Sequence, residues 1–540
     1  MSIIKVRGLA DAGVLADVEP YELPVGGWSF AVNARFNERK IEHAPVWRKA
    51  ATLGTVDPRF VFSEAGTSGS DTLLVGYKNG KVYKWSNGVE TDYSKVGYVT
   101  SAVEATWTNC SLANVCYVNR SDREPWGLTP GASAFTGITG WNAAWTAKIL
   151  RAYNDALIAL NVTESGINYP TLIRTSDIVD TPGTFPTTWN EADPTNNATR
   201  NPLTEMKGEI KDACVLGRDL IIYGSSQNFV MRADGSTNVY SFDRLPFDGG
   251  AINANCAVEV NGMHYVFGPN DIYRHDGLTK VSVIDGKNRK LVYRTMNASK
   301  ASKFFVQYNP ADETIKFCYV GSDPFAHFLG GTGCNRAAVL HVPTGRWVFD
   351  DLPLVFSGVL SGISINSPTW STITGTWATI GGSWQDFEDG LKKAPIYVGE
   401  LNSTYSLSTA LYVNDPYGAG AVVTSPVDTN ATAPMYLERQ GIDLDEVNAD
   451  LRGNKQIISI YPQGSVDADA APLEFSFAAA SNFGETATFG DYQTYDPRND
   501  SKLDFDMNGR FLAMRVHHND YRSASISGID LDVEILSDGP

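Results

Sequence analysis

The sequence predicts an all-β protein, an irregular β-propeller followed by a β-sandwich-like module, and three observations carry that expectation. Helical periodicity is almost absent. Aromatic residues (12 Trp, 24 Tyr, 24 Phe) recur with Val, Ile and Thr in short runs closed by Gly, Asn, Asp or Pro, as half-buried strands between tight turns do. From roughly residue 50 to 410 one theme then repeats: a strand, a turn, an aromatic strand, a second turn and another strand.

The theme is plainest in residues 71–90, DTLLVGYKNGKVYKWSNGVE, and returns in 218–235, RDLIIYGSSQNFVMRADG, and 261–277, NGMHYVFGPNDIYRHDG. Weaker copies lie at Cys110–Thr129, Asp155–Asp177, Thr314–Asp350 and Thr376–Tyr397. The spacing suits a propeller of about six to eight blades of roughly 40–50 residues each. The turn pairs Asn79-Gly80, Asn87-Gly88, Asp234-Gly235, Asn261-Gly262 and Asp276-Gly277 sit where a two-residue hairpin loop needs positive φ. The blades are expected to be irregular, since no Trp-Asp dipeptide repeats and the pairs Gly249-Gly250 and Gly381-Gly382 are isolated.

Three units are expected: an N-terminal arm over 1–48, a propeller over 49–411 and an acidic sandwich-like platform over 412–540 that the arm joins. Residues 181–209, rich in Thr, Pro, Asn and Asp, read as a long surface excursion between blades. Asn414-Asp-Pro-Tyr-Gly-Ala-Gly420 reads as a linker. Beyond it, long alternating stretches appear, such as Ile457–Tyr461, Leu473–Phe477, Phe511–Val516 and Ile529–Ile535. In the last, Ile529, Leu531, Val533 and Ile535 share one face while Asp530, Asp532 and Glu534 share the other, the pattern of a half-buried antiparallel strand.

The formal net charge is −17, and residues 426–540 hold 20 acidic against 8 basic side chains. Such a surface repels phosphate backbones, which argues against a sequence-reading nucleic-acid binder. Six cysteines without a CxxC pair suggest neither a disulfide framework nor a zinc ribbon, and are expected as buried reduced thiols. The first ten residues lack the apolar run of a signal peptide, and no stretch approaches the ~20 apolar residues of a membrane span. Folding in the cytoplasm is the expectation.

No catalytic, cofactor-binding or metal-ligating residue is nominated, so an enzyme is not expected. Repeated Ser-x-Asp-x-Gly-x-Thr-Trp turns of sialidases are absent, and nothing singles out a carboxylate pair for glycoside hydrolysis. His517-His518 is the one adjacent His pair, and neighbours on a strand point to opposite faces. Asp467-Ala-Asp469 and the stretch Asp496–Asp506 offer carboxylates without the spacing of a calcium loop. No phosphate loop, nucleophile elbow or dinucleotide fingerprint occurs.

Two stretches carry a resemblance. Residues 18–36, VEPYELPVGGWSFAVNARF, contain Pro-x-x-Leu-Pro-x-Gly-x-Trp followed by Asn-x-Arg-Phe, and this looks like the opening of tail nozzle proteins (tail tubular protein B-like) of short-tailed bacteriophages. Gly509–Val516 and Ser525–Val533 are similar to the closing strands of that family. The two motifs cover about 40 residues and flank the expected propeller.

The resemblance implies a virion structural protein of the phage tail, assembled in the host cytoplasm as a homo-hexamer of about six copies around one axis. It implies a distal tail tube, propellers decorating a ring-forming platform, and docking to a tail adaptor ring and to tail fibres or a tailspike. It also implies contact with the host envelope at the tail tip and transient passage of double-stranded DNA without sequence recognition. An acidic lumen would suit that passage, because it repels phosphate over a Debye length of about 8–10 Å. A carbohydrate-binding or glycan-hydrolysing propeller used in adhesion, or another head-completion or tail component, is the alternative.

Overall fold

The structure is a computed structural model that describes every residue except 1, 55, 66–70, 87–88, 235–238, 362–393, 416–426, 443–452, 483–487 and 537–540. Its local architecture is set by tight turns. Asn261 (φ 53°) and Gly262 (φ 76°) join two strands directly, and three further pairs do the same: Ala113-Asn114, Asn154-Asp155 and Ser165-Gly166, each with both residues at positive φ. These turns match the right-handed twist of the strands they connect. Two of the expected pairs make wider turns, in which Gly80 and Gly277 have positive φ while Asn79 and Asp276 do not. Asn87-Gly88 and Gly235 lie outside the described residues.

Among the described residues, these turns build five separate four-stranded antiparallel sheets, and two further four-stranded blades are parts of one 12-stranded sheet, giving seven blades in a propeller-like arrangement. The first five blades run consecutively, from Pro58–Ala65 through Val89–Asp92, Trp107–Leu112 through Thr136–Gly137, Trp145–Tyr153 through Thr199–Pro202, Ile210–Leu216 through Tyr240–Asp248, and Ala257–Val260 through Lys280–Ser282. The sixth contains Phe305–Asn309, Thr314–Tyr319, Cys334–His341 and the first half of the 16-residue strand Arg346–Ser361.

That long strand turns at Leu354 (φ 53°), and its second half opens the seventh blade beside Ala394–Gly399. Ala410–Asp415 follows, and Val46–Thr52 from the start of the chain completes the sheet. The circle is therefore closed by strands from both flanks of the propeller sequence. Both expected boundaries fall inside strands of this blade, 48/49 within Val46–Thr52 and 411/412 within Ala410–Asp415. Asn414 is a buried propeller residue rather than the start of a linker, and 416–420 lie outside the described residues, as does most of the weak copy Thr376–Tyr397.

The excursion before Thr199 is packed down. Trp189 is buried edge-on against Trp141 at 4.8 Å, and Phe185 meets Tyr117 of the second blade. Its polar composition concealed two aromatic anchors that lay it across a neighbouring blade.

The second unit is a β-sandwich made from both chain ends. One sheet runs Leu503–Gly509, Asn454–Val466 and Ala524–Leu536; Ser2–Arg7 and Lys40–His43 share the next edge, and Ala34–Asn37 is last. The other runs Phe30–Val32, Met435–Ile442, Phe511–His518, Leu473–Ala480 and Gln493–Tyr495. Ile457, Ile460, Ile529, Leu531 and Val533 face inward against Phe475, Phe477, Leu512, Met514 and Val516. In the last strand Ile529, Leu531 and Val533 are buried as the alternation expects, Asp530 and Asp532 are half-buried, and Glu534 is exposed.

Candidate functional site

The most concentrated polar chemistry lies where propeller and sandwich meet. Phe30–Val32 bridges in parallel to the sixth blade through Val32 and Phe349. Just beyond it, Asn33 adopts φ 55°, a left-handed conformation that asparagine tolerates. Its side-chain amide donates to Asp351 Oδ2 at 3.0 Å and to the Pro434 carbonyl at 2.9 Å, while its Oδ1 accepts the Asp351 N–H at 2.8 Å. Two residues on, the Arg35 guanidinium forks onto Asp350, both N–H···O bonds being 2.7 Å. The pair Asn33 and Arg35 thus grips the pair Asp350 and Asp351.

Other buried charges balance the joint. Lys316 Nζ lies 3.1 Å from Asp350 and donates to Asn414 Oδ1 at 2.6 Å, and the Asn414 amide donates to the Pro45 carbonyl. Arg336, fully buried, donates to Asp351 at 2.7 Å and holds both carboxylate oxygens of Asp323. Three cations meet three carboxylates, so the cluster is neutral overall. Burial alone would raise the Asp350 carboxyl, but Arg35 and Lys316 hold it well below the usual carboxylate range. Asp351 is raised, because burial outweighs its Arg336 and Asn33 contacts.

The preceding turn anchors the arm. Trp28 is fully buried and its indole N–H donates to the Leu9 carbonyl at 2.7 Å. Arg439 donates to the carbonyls of Pro24, Val25 and Gly27, fixing the turn to the second sheet. Gly26 has to be glycine: a Cβ there would stand 2.4 Å from the Gly8 carbonyl oxygen.

At the propeller axis a cavity of about 350 Å³ is lined by the first strands of the blades. Asn255, again left-handed (φ 60°), organises it. Its N–H and side-chain amide donate to Asp212 and to the Trp107 carbonyl, its Oδ1 accepts from Arg151, and its carbonyl accepts the Val306 N–H. Arg151 closes on Asp212 at 2.6 Å. Asn255, Arg151 and Asp212 thus tie five blades together around the axis.

Between the fourth and fifth blades a buried chain of rings has a fixed direction. Gly277 N–H donates to His275 Nδ1, His275 Nε2 donates to the Tyr223 hydroxyl at 2.7 Å, that hydroxyl donates to His264 Nδ1 at 2.5 Å, and His264 Nε2 donates to the Val215 carbonyl at 2.9 Å. Burial pulls His275 down to about 3 and lowers His264 as well. Both imidazoles are neutral in the folded state and titrate near 6.5 when unfolded. Their contribution is complete above pH 6.5 and is lost as pH falls from there through the folded values. For His275 stability is expected to drop by about 1.4 kcal/mol per pH unit between about pH 6 and its folded value, and His264 adds to the loss in the same direction. Urea midpoints at pH 7.0, 5.5 and 4.5 check this, and His275→Gln should flatten the slope; an equal slope in that variant would remove these rings as its cause.

The acidic stretches of the platform are engaged by arginine. Arg498 donates to Asp496 at 2.7 Å and to the carbonyls of Asp467 and Ala470 at 2.9 and 3.0 Å, so a guanidinium sits where loop carboxylates and carbonyls converge. His517 and His518 do point apart, one to Glu474 at 3.0 Å and the other to the Ala471 carbonyl at 3.2 Å. Of the cysteines, 116, 256, 318 and 334 are buried while 110 and 214 are half-buried, and all six are thiols outside any disulfide. Burial pushes the Cys110 and Cys214 thiols up to about 12, so they are unreactive at neutral pH. Among the described residues no cluster of His, Cys, Asp and Glu is arranged to hold a metal ion. Among the described residues no helix is long and apolar enough to cross a membrane.

The joint residues Asn33, Arg35, Lys316, Asp323, Arg336, Asp350 and Asp351 were not singled out as a cluster by sequence reasoning. A signal exists: Asp350-Asp351 interrupts the apolar run Trp347–Phe356, and adjacent carboxylates inside a buried strand require cationic partners.

No family model matches the chain, and no curated protein matches it. Among solved structures it is similar to the computationally designed Ika8 protein, at 9% identity and a TM-score of 0.35, covering 68% of this chain and 99% of that one. It is also similar to BBS1N, crystallised in complex with ARL6DN, at 9% identity and a TM-score of 0.39, covering 70% of this chain and 99% of that one.

Proposed function

We propose that this chain is a virion structural protein, the tail nozzle of a short-tailed bacteriophage, which holds back and then passes the genome during ejection into the host. The observation that carries the reading is the placement of the two stretches that resemble that family. Trp28, Asn33, Arg35 and Phe36 of the opening stretch build the joint and the adjoining sheet edge, and the closing stretches supply the sandwich strands Phe511–His518 and Ala524–Leu536. Both ends of the chain thereby form one platform, and buried charges fix the propeller to it.

In this reading about six copies assemble as a ring around one axis, with the platform taking part in every ring contact. Tail adaptor ring, tail fibres or tailspike and host envelope are its partners, and double-stranded DNA passes without being read. The net charge of −17 supports passage over gripping, since like charge keeps phosphates off the wall. The purified chain is expected to form closed rings by electron microscopy and native mass spectrometry; a monomer at every concentration tested would contradict the reading.

A further inference from the structure

The −17 chain carries one strongly basic stretch. Residues 286–311 hold Lys287, Arg289, Lys290, Arg294, Lys300 and Lys303 and no carboxylate. The stretch joins the fifth and sixth blades and contains the short helix Arg289–Thr295, whose inner side is fixed by buried Val292 and whose first turn is held by Asp17, accepting from the Lys290 and Leu291 N–H groups at 2.6 and 3.1 Å. Lys287 and Lys300 are tied to the carbonyls of Gly345 and Gly331, and Arg289 to Asp285 and the Asn270 carbonyl. Lys290 and Arg294 stand one helical turn apart, exposed, and neither forms an ion pair among the described residues.

The opposite charge lies on the outer face of the sandwich sheet that contains the last strand. Ser459 is flanked in register by Asp504 on one side and Asp532 on the other, and Gln456 by Asn508 and Glu534. With Asp506 and Asp530 these make a carboxylate face three strands wide, roughly 10 Å across at ordinary strand spacing, in which Asp504, Asp506 and Glu534 are exposed while Asp530 and Asp532 are half-buried. The cations near it among the described residues are Lys502, which binds Asp504 and also attracts Asp532, Arg7 on Asp530, and Lys5 on the edge strand opposite Asp530.

Resting on the ring-forming reading above, we infer that the Lys290–Arg294 surface of one copy docks on the Asp504, Asp506, Asp532 and Glu534 face of a second copy of this chain. Two different surfaces mate, so the contact is heterologous and propagates from copy to copy until it closes into a ring. Complementary charge supplies the attraction and register that like-charged chains otherwise lack. A polyanion is the weaker occupant: two exposed cations on a chain of −17 give little hold on a phosphate polymer.

The test uses full-length protein with Lys290→Glu/Arg294→Glu, with Asp504→Lys/Asp506→Lys, and with all four changes, each checked for native circular dichroism. Ring assembly is read by native mass spectrometry against protein concentration. Each double variant is expected to need at least about tenfold more protein to assemble, and the fourfold variant to recover most of that loss, because like charges across an interface repel strongly. Double variants that assemble as the wild type does, or a fourfold variant no better than they are, would overturn the interface and leave the ring reading standing. A wild type that never assembles overturns both. Weakened binding of linear double-stranded DNA or of phosphatidylglycerol vesicles by Lys290→Glu/Arg294→Glu, with intact rings, would assign the patch to a polyanion instead.

Discussion

Replacing Arg336 by methionine is expected to lower stability by about 3–5 kcal/mol, because removing one partner of a buried ionic cluster strands the others. Asp323 and Asp351 both lean on this guanidinium, and both are nearly fully buried. Asp351 keeps Asn33 and the His327 N–H, whereas Asp323 loses its only ion pair among the described residues. The loss should appear as a lower urea midpoint by tryptophan fluorescence. Adding Asp323→Asn and Asp351→Asn to Arg336→Met should restore part of it, since the stranded charges are then gone. A cost below about 1 kcal/mol for Arg336→Met would mean that the cluster is hydrated and does not fix the joint.

The second large effect is expected at Trp28. Truncation to alanine removes a fully buried indole, which costs about 3–5 kcal/mol through lost burial and the cavity left behind. It also orphans the Leu9 carbonyl, the acceptor that ties the arm to the turn. Phenylalanine keeps most of the volume but not the donor, so Trp28→Phe should cost less, about 1–3 kcal/mol. Limited proteolysis separates local from global loss: early cleavage before residue 30 with an intact remainder places the damage in the arm. Unchanged protection of the first 30 residues in Trp28→Ala would show that the indole does not anchor them.

Much of the architecture is readable from local pattern. The alternation of Ile529, Leu531 and Val533 with Asp530, Asp532 and Glu534 fixes which face of the last strand is buried, and repeated strand–turn units disclose a propeller without any shared blade motif. The number of blades is harder to read, because the sixth and seventh share the continuous strand Arg346–Ser361 and the seventh takes its outer strand from Val46–Thr52. A blade completed by a strand some 350 residues distant has no local period. The boundaries slipped by a few residues for the same reason.

The joint was less legible still. Asn33 and Arg35 meet Asp351 and Asp350 across more than 300 residues of sequence, and nothing nearby in the chain marks either pair as the other's partner. Left-handed Asn33 and Asn255 illustrate the same difficulty. Each has an ordinary sequence environment, and each organises several strands because an unusual backbone conformation aims its amide and carbonyl groups in divergent directions.

The central claim, that this chain forms the end of a short phage tail, is tested most directly by labelling. Antibody raised to the purified protein, detected with gold by electron microscopy on particles from lysates of its source, is expected to mark the distal end of a short tail. Abundant soluble protein with no labelled particle would contradict the claim and turn attention to the propeller as a free, glycan-directed module.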